Sequence, residues 1–259
     1  MTATLHTRRE GPCLVLTLDH PGKRNALSPQ VHGLALQALE TAAADPTIRA
    51  VVLTGADGHF CAGGDLQRIG QARQSPPQEQ ARSIEAFHGL ILALQACPRP
   101  VIAAVEGAAA GAGFSLALAC DLVVAAEDAR FVLSYGRVGL TPDGGATWFL
   151  SRRVPPSLVL EWTWLAEPVS SQRLLSLGLI NRVCAPGQAL TEALSLGNRL
   201  AAMAPNAVSA ARALVRAAPE RDLSTQLQAE RESFIAQLFH DNAQEGIDAF
   251  LQRRPPSFR

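Results

Sequence analysis

Two short segments of small residues could present backbone N–H groups to a ligand. They are residues 59–65 (HFCAGGD) and residues 107–113 (GAAAGAG), and each lies between a predicted strand and a predicted helix. Small side chains let a ligand approach the backbone closely, and N–H groups at the start of a helix attract negative charge. Neither segment has the spacing of a dinucleotide-binding glycine motif or the lysine of a phosphate-binding loop. Two N–H groups aimed at one oxygen would instead form an oxyanion hole.

The sequence offers one carboxylate in a setting suited to proton transfer. Asp143 follows Pro142 and precedes two glycines. A positioned carboxylate can take a proton from one carbon and return it to another. An aspartate after proline is also a common turn or helix-capping residue, so the motif by itself leaves both roles open. Cys61 lies in the first glycine segment, but only the neighbouring His59 has a predictable place beside it, and we do not expect a thiol nucleophile.

The elements that must position these residues alternate between strand and helix. Short apolar strands followed by helices predict an α/β domain with a mostly parallel sheet. After residue 155 the pattern is almost entirely helical, so we predict an α/β core over residues 1–200 and a helical region over residues 201–259. The predicted strands cover residues 13–18, 50–54, 101–105, 122–125, 130–133 and 181–184. The predicted helices cover residues 29–44, 78–95, 113–119, 157–166, 170–177, 187–203, 206–217, 223–239 and 242–252, and a further helix is predicted to begin at about Thr147.

Composition and charge exclude several classes of protein. With 47% hydrophobic and 18% charged residues, the chain is not intrinsically disordered. Lys+Arg and Asp+Glu both number 23, which gives no general attraction to nucleic acid or to an anionic membrane. The five scattered cysteines form neither a zinc pattern nor a disulfide framework, so we expect reduced thiols and no metal. No secretory signal or membrane-spanning stretch is visible, and we expect a cytoplasmic protein.

Five segments of the chain carry a resemblance to one known family. They cover residues 21–27 (PGKRNAL), 60–65 (FCAGGD), 99–121, 139–145 (GLTPDGG) and 245–255. In this order and spacing they resemble the crotonase (enoyl-CoA hydratase/isomerase) superfamily over nearly the whole chain. The resemblance implies a β-β-α spiral core, a C-terminal helical trimerisation region and an acyl-CoA substrate. It also implies a homotrimer or a dimer of trimers, and no cofactor other than the coenzyme A of the substrate.

The resemblance also assigns binding roles. The two oxyanion-hole amides of the family fall on Gly64 and Ala112, and removal of an α-proton from a thioester would place on the carbonyl oxygen the charge that such donors stabilise. Ala112 stands where the family usually has glycine, which matters little because the donor is backbone. The residues implied to contact the substrate or its coenzyme A are Arg24, Ala62, Gly63, Asp65, Leu66, Gly111 and Ser115.

The departures from the family decide which reaction we predict. Hydratases of the family use two glutamates, which fall here on Ser115 and Tyr135, so efficient hydration is not expected. Asp143 falls where isomerases of the family place their acid/base residue, and the stretch 139–149 is most similar to that of ring-1,2-epoxyphenylacetyl-CoA isomerases. We therefore predict an isomerase that shifts a double bond or rearranges a ring-type acyl-CoA. Asp143 would be its proton shuttle, and Tyr135 would bond Asp143 or line the acyl pocket.

Three other functions stay open at this point. An enoyl-CoA hydratase is the first. The second is an aryl-CoA dehalogenase, because His88 falls where the family's dehalogenases carry a histidine base and Asp143 falls on their nucleophile. The third is a catalytically silent acyl-CoA-binding protein, which the missing glutamates suggest and Asp143 beside intact glycine loops argues against. The sequence gives Glu106, where relatives commonly have asparagine, no role.

Overall fold

An antiparallel hairpin forms one edge of the largest sheet. In a computed structural model that describes residues 2–259, β1 (Thr4–Glu10) pairs with β2 (Cys13–Asp19) from Thr4 opposite Asp19 to Glu10 opposite Cys13. We did not predict β1 from the sequence. It is the edge strand, and most of its side chains are polar and exposed, so it lacks the apolar pattern of a buried strand.

Parallel strands extend this sheet from β2. They are β3 (Ala50–Gly55), β4 (Val101–Val105), β6 (Leu122–Ala126) and β9 (Arg182–Cys184), in the order β1-β2-β3-β4-β6-β9. Every residue of β4 is buried, because apolar side chains cover both faces of the sheet. The mostly parallel sheet is therefore as predicted.

A second, smaller sheet has three short strands. Its strands are β5 (Ala108–Ala110), β7 (Arg130–Val132) and β8 (Val169–Ser170), in the order β5-β7-β8. The segment 107–113, predicted as a loop, thus contains a strand. Ala109 pairs with Phe131 and also bridges Cys61, so the hydrogen-bond partners of β5 come from distant segments that a local pattern does not reveal.

Helices cover the sheet and form the C-terminal region. Their bounds are α1 (Pro29–Ala44), α2 (Leu66–Ala72), α3 (Pro77–Ala96), α4 (Ala112–Ala119), α5 (Ala146–Ser151), α6 (Pro156–Leu165), α7 (Ser171–Ser176), α8 (Ala189–Ala201), α9 (Pro205–Ala217), α10 (Leu223–Leu238) and α11 (Asp241–Leu251). Most predicted helices agree to within a few residues. We missed α2, which buries no residue completely and so lacks an apolar face. None of the helices within residues 2–259 is both long enough and apolar enough to cross a membrane.

Glu106 holds the start of α8 against the end of β4. Its carboxylate accepts hydrogen bonds from the backbone N–H of Gly187 at 3.0 Å and of Ala189 at 2.8 Å. The first N–H groups of a helix have no partner within the helix, and a carboxylate satisfies them and complements the helix dipole. The residue that had no role in the sequence is therefore a helix cap.

Two arginines of α9 anchor the C-terminal helices to the core. Arg212 Nε and Arg216 Nη2 each donate to Asp121 Oδ1 at 2.7 Å. The other oxygen of Asp121 accepts from the Val101 N–H at 2.8 Å. This network fixes α9 beside the amino end of β4. Beyond it, α10 and α11 leave several large apolar side chains exposed, among them Phe234 and Phe250.

Candidate active site

Backbone hydrogen bonds hold the two glycine segments side by side. The Cys61 N–H donates to the Ala108 carbonyl, and the Ala110 N–H donates to the Cys61 carbonyl, both at 2.9 Å. Gly113 completes this contact, since a Cβ there would lie 2.3 Å from the Cys61 oxygen. Only glycine allows so close an approach. Residues about fifty positions apart in sequence thus become neighbours.

The two N–H groups predicted for the oxyanion hole are free to donate. Gly63 has a φ of +89°, and a Cβ on it would lie 3.1 Å from the Ala112 nitrogen, so the two backbones nearly touch. The Gly63 carbonyl accepts from the Leu27 N–H at 2.7 Å in the bridge between residues 27 and 64. The Gly64 N–H makes no hydrogen bond in this bridge. Ala112 is the first residue of α4. Across residues 2–259, neither the Gly64 nor the Ala112 N–H has a protein acceptor.

Asp143, Tyr135 and Ser115 form a hydrogen-bonded cluster beside α4. Tyr135 Oη donates to Asp143 Oδ1 at 2.6 Å, and Ser115 Oγ donates to the Asp143 carbonyl at 2.8 Å. Ser115 is fully buried on α4, and Tyr135 is buried in a 3₁₀ turn over Ser134–Val138. A Cβ on Gly111 would lie 3.7 Å from the tyrosine ring, so this cluster adjoins the residue that precedes Ala112.

The carboxylate of Asp143 is half-buried and does not cap a helix. The residue that precedes α5 is Gly145, without a side-chain cap, and the described partner of the Asp143 carboxylate is Tyr135. Burial, followed by the negative charge of Asp143 and the hydrogen bond to it, raises the pKa of Tyr135 far above its ordinary value. Tyr135 is therefore a neutral donor to a carboxylate. The backbone of Asp143 does form a turn, since its carbonyl accepts from the Ala146 N–H at 3.3 Å, but its carboxylate is bonded to Tyr135 and caps no described helix.

A family model for enoyl-CoA hydratase/isomerase matches residues 8–259. The chain belongs to the enoyl-CoA hydratase/isomerase family. It is 37% identical to 2,3-dehydroadipyl-CoA hydratase of Escherichia coli (strain K12) over 251 residues, which are 97% of this chain and 96% of that protein. It is 33% identical to 1,2-epoxyphenylacetyl-CoA isomerase of the same strain over 246 residues, or 95% and 94% of the two chains.

A solved structure agrees with the fold over the whole length. An enoyl-CoA hydratase from Polaromonas sp. JS666 superposes with a TM-score of 0.98 at 50% identity, covering 99% of this chain and 100% of that one. The predicted membership of the crotonase superfamily and the predicted α/β fold with a C-terminal helical region are confirmed. Because both hydratases and isomerases occur among the relatives, the family alone does not choose between the two reactions.

Arg24, Asp65 and Leu66, which the family resemblance assigns to the substrate or its coenzyme A, lie at or beside the first glycine segment. Arg24 is exposed, and its carbonyl accepts from the Ala62 N–H at 2.9 Å. Leu66 is also largely exposed. The Asp65 carboxylate contacts Lys23 Nζ at 2.6 Å and accepts from the Gln67 N–H at 3.0 Å, which caps α2. These roles toward coenzyme A stay predictions.

The Lys23–Asp65 pair was missed in the sequence, although Lys23 is the single lysine of the chain and adjoins Arg24. Burial alone would raise the pKa of Asp65, but the hydrogen bonds from Lys23 and from backbone N–H groups outweigh it and lower that pKa. The carboxylate is therefore ionised and engaged within the protein. It holds the first glycine segment to the segment that carries Arg24.

Two other candidate catalytic residues, His88 and Cys61, lie outside the Asp143 cluster. His88 is exposed on α3 and has no hydrogen bond or ion pair with any described residue, Asp143 included. The dehalogenase alternative requires a histidine base at the reacting centre, so it loses its structural support. Cys61 is completely buried, and that burial raises the pKa of its thiol to about 12. A protonated, enclosed thiol is a poor nucleophile, as expected.

Sequence reasoning missed several side chains that lie near Gly144, the residue after Asp143, or on the neighbouring helices. Phe87 of α3 lies against Gly144, whose added Cβ would be 2.4 Å from its ring. The ring of His32 of α1 lies beside this ring in a tilted arrangement, with the two centroids 5.4 Å apart. Arg68 of α2 is bonded to Ser83 at 3.1 Å. Only the apolar periodicity of α3 hinted at this arrangement, because it placed Phe87 on the buried face.

Proposed function

We propose that this family member is an acyl-CoA isomerase that moves a double bond, or rearranges a ring-type acyl group, through a thioester enolate. The observation that carries the proposal is the Tyr135–Asp143 hydrogen bond of 2.6 Å beside the free N–H of Ala112. The site has an aspartate held by a neutral donor, and it has serine and tyrosine where the hydratases carry glutamates. Similarity to an isomerase named for 1,2-epoxyphenylacetyl-CoA supports the same reading.

The proposed chemistry uses backbone donors and a single base. The thioester oxygen accepts hydrogen bonds from the N–H groups of Gly64 and Ala112, which strengthen as negative charge develops there. Asp143 removes a proton from C2 of a 3-enoyl thioester, the double bond moves to C2–C3, and the carboxylic acid so formed, whose proton exchanges with solvent, protonates C4. Tyr135 orients the carboxylate. Nothing is added or lost, so the reaction needs neither water nor a cofactor beyond the coenzyme A of the substrate.

Hydration is the less supported alternative. Addition of water needs one group to activate the water and another to protonate the α-carbon. Ser115 Oγ already donates to the Asp143 carbonyl, and the raised pKa of Tyr135 means that its phenolate is not present as a base. Asp143 would then have to perform both steps. A 1,3-proton shift needs only one acid/base group, which Asp143 can supply.

A panel of substrates in heavy water tests the proposal. The purified protein would be incubated with 2-enoyl-, 3-enoyl- and ring-type acyl-CoAs in D2O, and the products read by mass spectrometry and NMR. We expect a moved double bond, with deuterium entering the acyl chain and no gain of water. Products that carry a whole added water would contradict the isomerase and support a hydratase. Binding of the esters without any conversion would support a silent acyl-CoA-binding protein.

We also propose that the enzyme is a cytoplasmic homotrimer or a dimer of trimers. The exposed apolar side chains of α10, of α11 and of Phe239 between them favour burial against other copies, since Phe239, which follows α10, and Phe250 of α11 are 84% and 83% exposed. All five cysteines are free, as suits a reducing compartment. Light scattering should give three or six times the chain mass of 27.4 kDa. Phe239→Glu should lower that mass, and the exposed-site control Ser224→Glu should not, whereas a monomeric wild type would refute the assembly.

A further inference from the structure

Two polar side chains lie near the amino-terminal ends of two helices that begin beside the oxyanion loop. Leu27 and Gly64 form a bridge, α1 begins just after Leu27, and α2 begins just after Gly64. His32 lies one turn into α1, and Arg68 lies in the first turn of α2. Both helices thus begin beside the oxyanion loop, and each carries a nitrogen-bearing side chain within its first turns.

His32 is buried, Arg68 is half-buried, and both carry buried nitrogen atoms that lack partners. His32 is only 4% exposed, and within residues 2–259 neither of its buried ring nitrogens has a hydrogen-bond partner. The buried Nε of Arg68 also has none, although Arg68 Nη1 donates to Ser83 Oγ at 3.1 Å. A buried polar group without a partner is costly, and such groups are rare in proteins. Three such atoms on two neighbouring side chains indicate a ligand group that the protein itself does not supply.

Phe87 connects this pair to the catalytic end of the site. Its ring lies 5.4 Å from that of His32, centroid to centroid. The same ring contacts the backbone at Gly144, which follows Asp143, and Gly144 in turn lies against Ser115. His32 is therefore separated from the backbone next to Asp143 by one aromatic ring, and Arg68 lies close enough to His32 to lower the pKa of its imidazole. This is where the far end of an acyl chain would lie if its thioester end occupied the oxyanion hole.

The charge of the pair selects the kind of group that it would bind. Burial, and secondarily the nearby charge of Arg68, lowers the pKa of His32 to about 4, so His32 is neutral near pH 7. Arg68 makes no ion pair with any acidic side chain of the described residues. A guanidinium N–H and an imidazole N–H offer donors and one positive charge. Carboxylates accept such donors in planar, charge-assisted hydrogen bonds.

We propose that the acyl group of the substrate ends in a carboxylate, which Arg68 and His32 bind beyond Phe87. This inference rests on the proposed function, because it takes the oxyanion hole as the thioester end of the site. The enzyme would then act on mono-CoA thioesters of dicarboxylic acids. Arg68 would supply the charge, Ser83 would orient the guanidinium, and His32 would donate from one ring nitrogen.

Binding of saturated esters tests the site independently of turnover. Titration calorimetry would compare the mono-CoA thioesters of the six- and eight-carbon dicarboxylic acids with hexanoyl-CoA and octanoyl-CoA. At the matching chain length we expect the carboxylate-ended ester to bind about tenfold tighter or more, as suits a hydrogen bond to a charged group. Equal binding, or tighter binding of the methyl-ended esters by the wild type, would refute the proposal, and the pair would then be structural.

Variants of the two side chains test the site, and an arginine at the end of α2 provides the matched control. Arg68→Gln should reduce the preference for the carboxylate to near unity, and His32→Phe should reduce it in part. Arg73→Gln removes the same charge from an exposed position at the end of α2 and should leave the preference intact. If Arg73→Gln lowers it as much as Arg68→Gln, general electrostatics explains the binding and the site is wrong. A carboxylate preference without any isomerisation would contradict only the proposed function, and isomerisation without the preference would contradict only this site.

Discussion

Asp143→Asn should slow isomerisation by about a thousandfold while leaving the binding of acyl-CoA esters intact. General acid–base groups contribute about 10²- to 10⁴-fold, and an amide cannot take up the proton of C2. The backbone at residue 143 should persist, because its carbonyl accepts from Ser115 at 2.8 Å whichever side chain is present. The oxyanion donors and the surface around Arg24 lie on other segments. The loss should therefore appear in kcat and not in the dissociation constant of a saturated ester.

Single-turnover kinetics and calorimetry would measure the two quantities separately. Asp128→Asn is a suitable control, because Asp128 is an exposed aspartate outside the site and its replacement removes the same charge. Turnover within a few-fold of the wild type in Asp143→Asn would eliminate Asp143 as the shuttle. Loss of binding together with turnover would instead mean that the residue holds the substrate.

The same variant has a spectroscopic readout, because the chain contains a single tyrosine. In the wild type, burial and then the charge of Asp143 raise the pKa of Tyr135, so no phenolate absorbance should appear near pH 10, where free tyrosine is half ionised. Asp143→Asn removes the negative charge, so ionisation should begin at a lower pH than in the wild type. Burial remains, and the pKa should stay above the ordinary value. A titration that does not move would show that the two side chains are not coupled in solution.

Ala112→Pro should reduce turnover by about 10²- to 10³-fold, which is the usual cost of losing one oxyanion donor. Ala112 is the first residue of α4, a position where helices accept proline because its N–H has no partner within the helix. Gly111, which precedes it, has a φ of 51° and a ψ of −122°, outside the helical region that proline disfavours in its predecessor. The substitution thus removes the N–H and preserves the helix.

Ala112→Gly is the matched control, since it changes the side chain and keeps the donor. It should retain turnover within a few-fold of the wild type, in agreement with a role for the backbone and not for the methyl group. Circular dichroism and the dissociation constant of coenzyme A would check that the proline variant is folded. Full activity in Ala112→Pro would exclude this N–H from the oxyanion hole, and a large loss in Ala112→Gly would assign the role to the methyl group.

The sequence by itself determined most strands, most helices and the segments that carry the site. The runs at β2, β3 and β4 are apolar because those strands are buried. A buried strand can therefore be recognised from its own consecutive residues. A Cβ at position 63 or 113 would lie 3.1 Å or less from backbone atoms of the facing segment, so both positions require glycine. The glycine-rich composition was therefore enough to locate the two loops. The absence of carboxylates at positions 115 and 135 is also a fact of the sequence, and it directed attention to Asp143.

Tertiary structure decided everything that depends on partners distant in the chain. The edge strand β1 and the short strand β5 exist because other strands supply their hydrogen bonds, and their own residues give no apolar pattern. Glu106 became a helix cap because α8 begins beside it. His32 and Arg68 are ordinary helix residues in the sequence, and only the common origin of α1 and α2 at one bridge brings the buried imidazole of His32 and the buried Nε of Arg68 together. Local patterns record whether a residue is buried, whereas the three-dimensional path of the chain determines which groups meet it there.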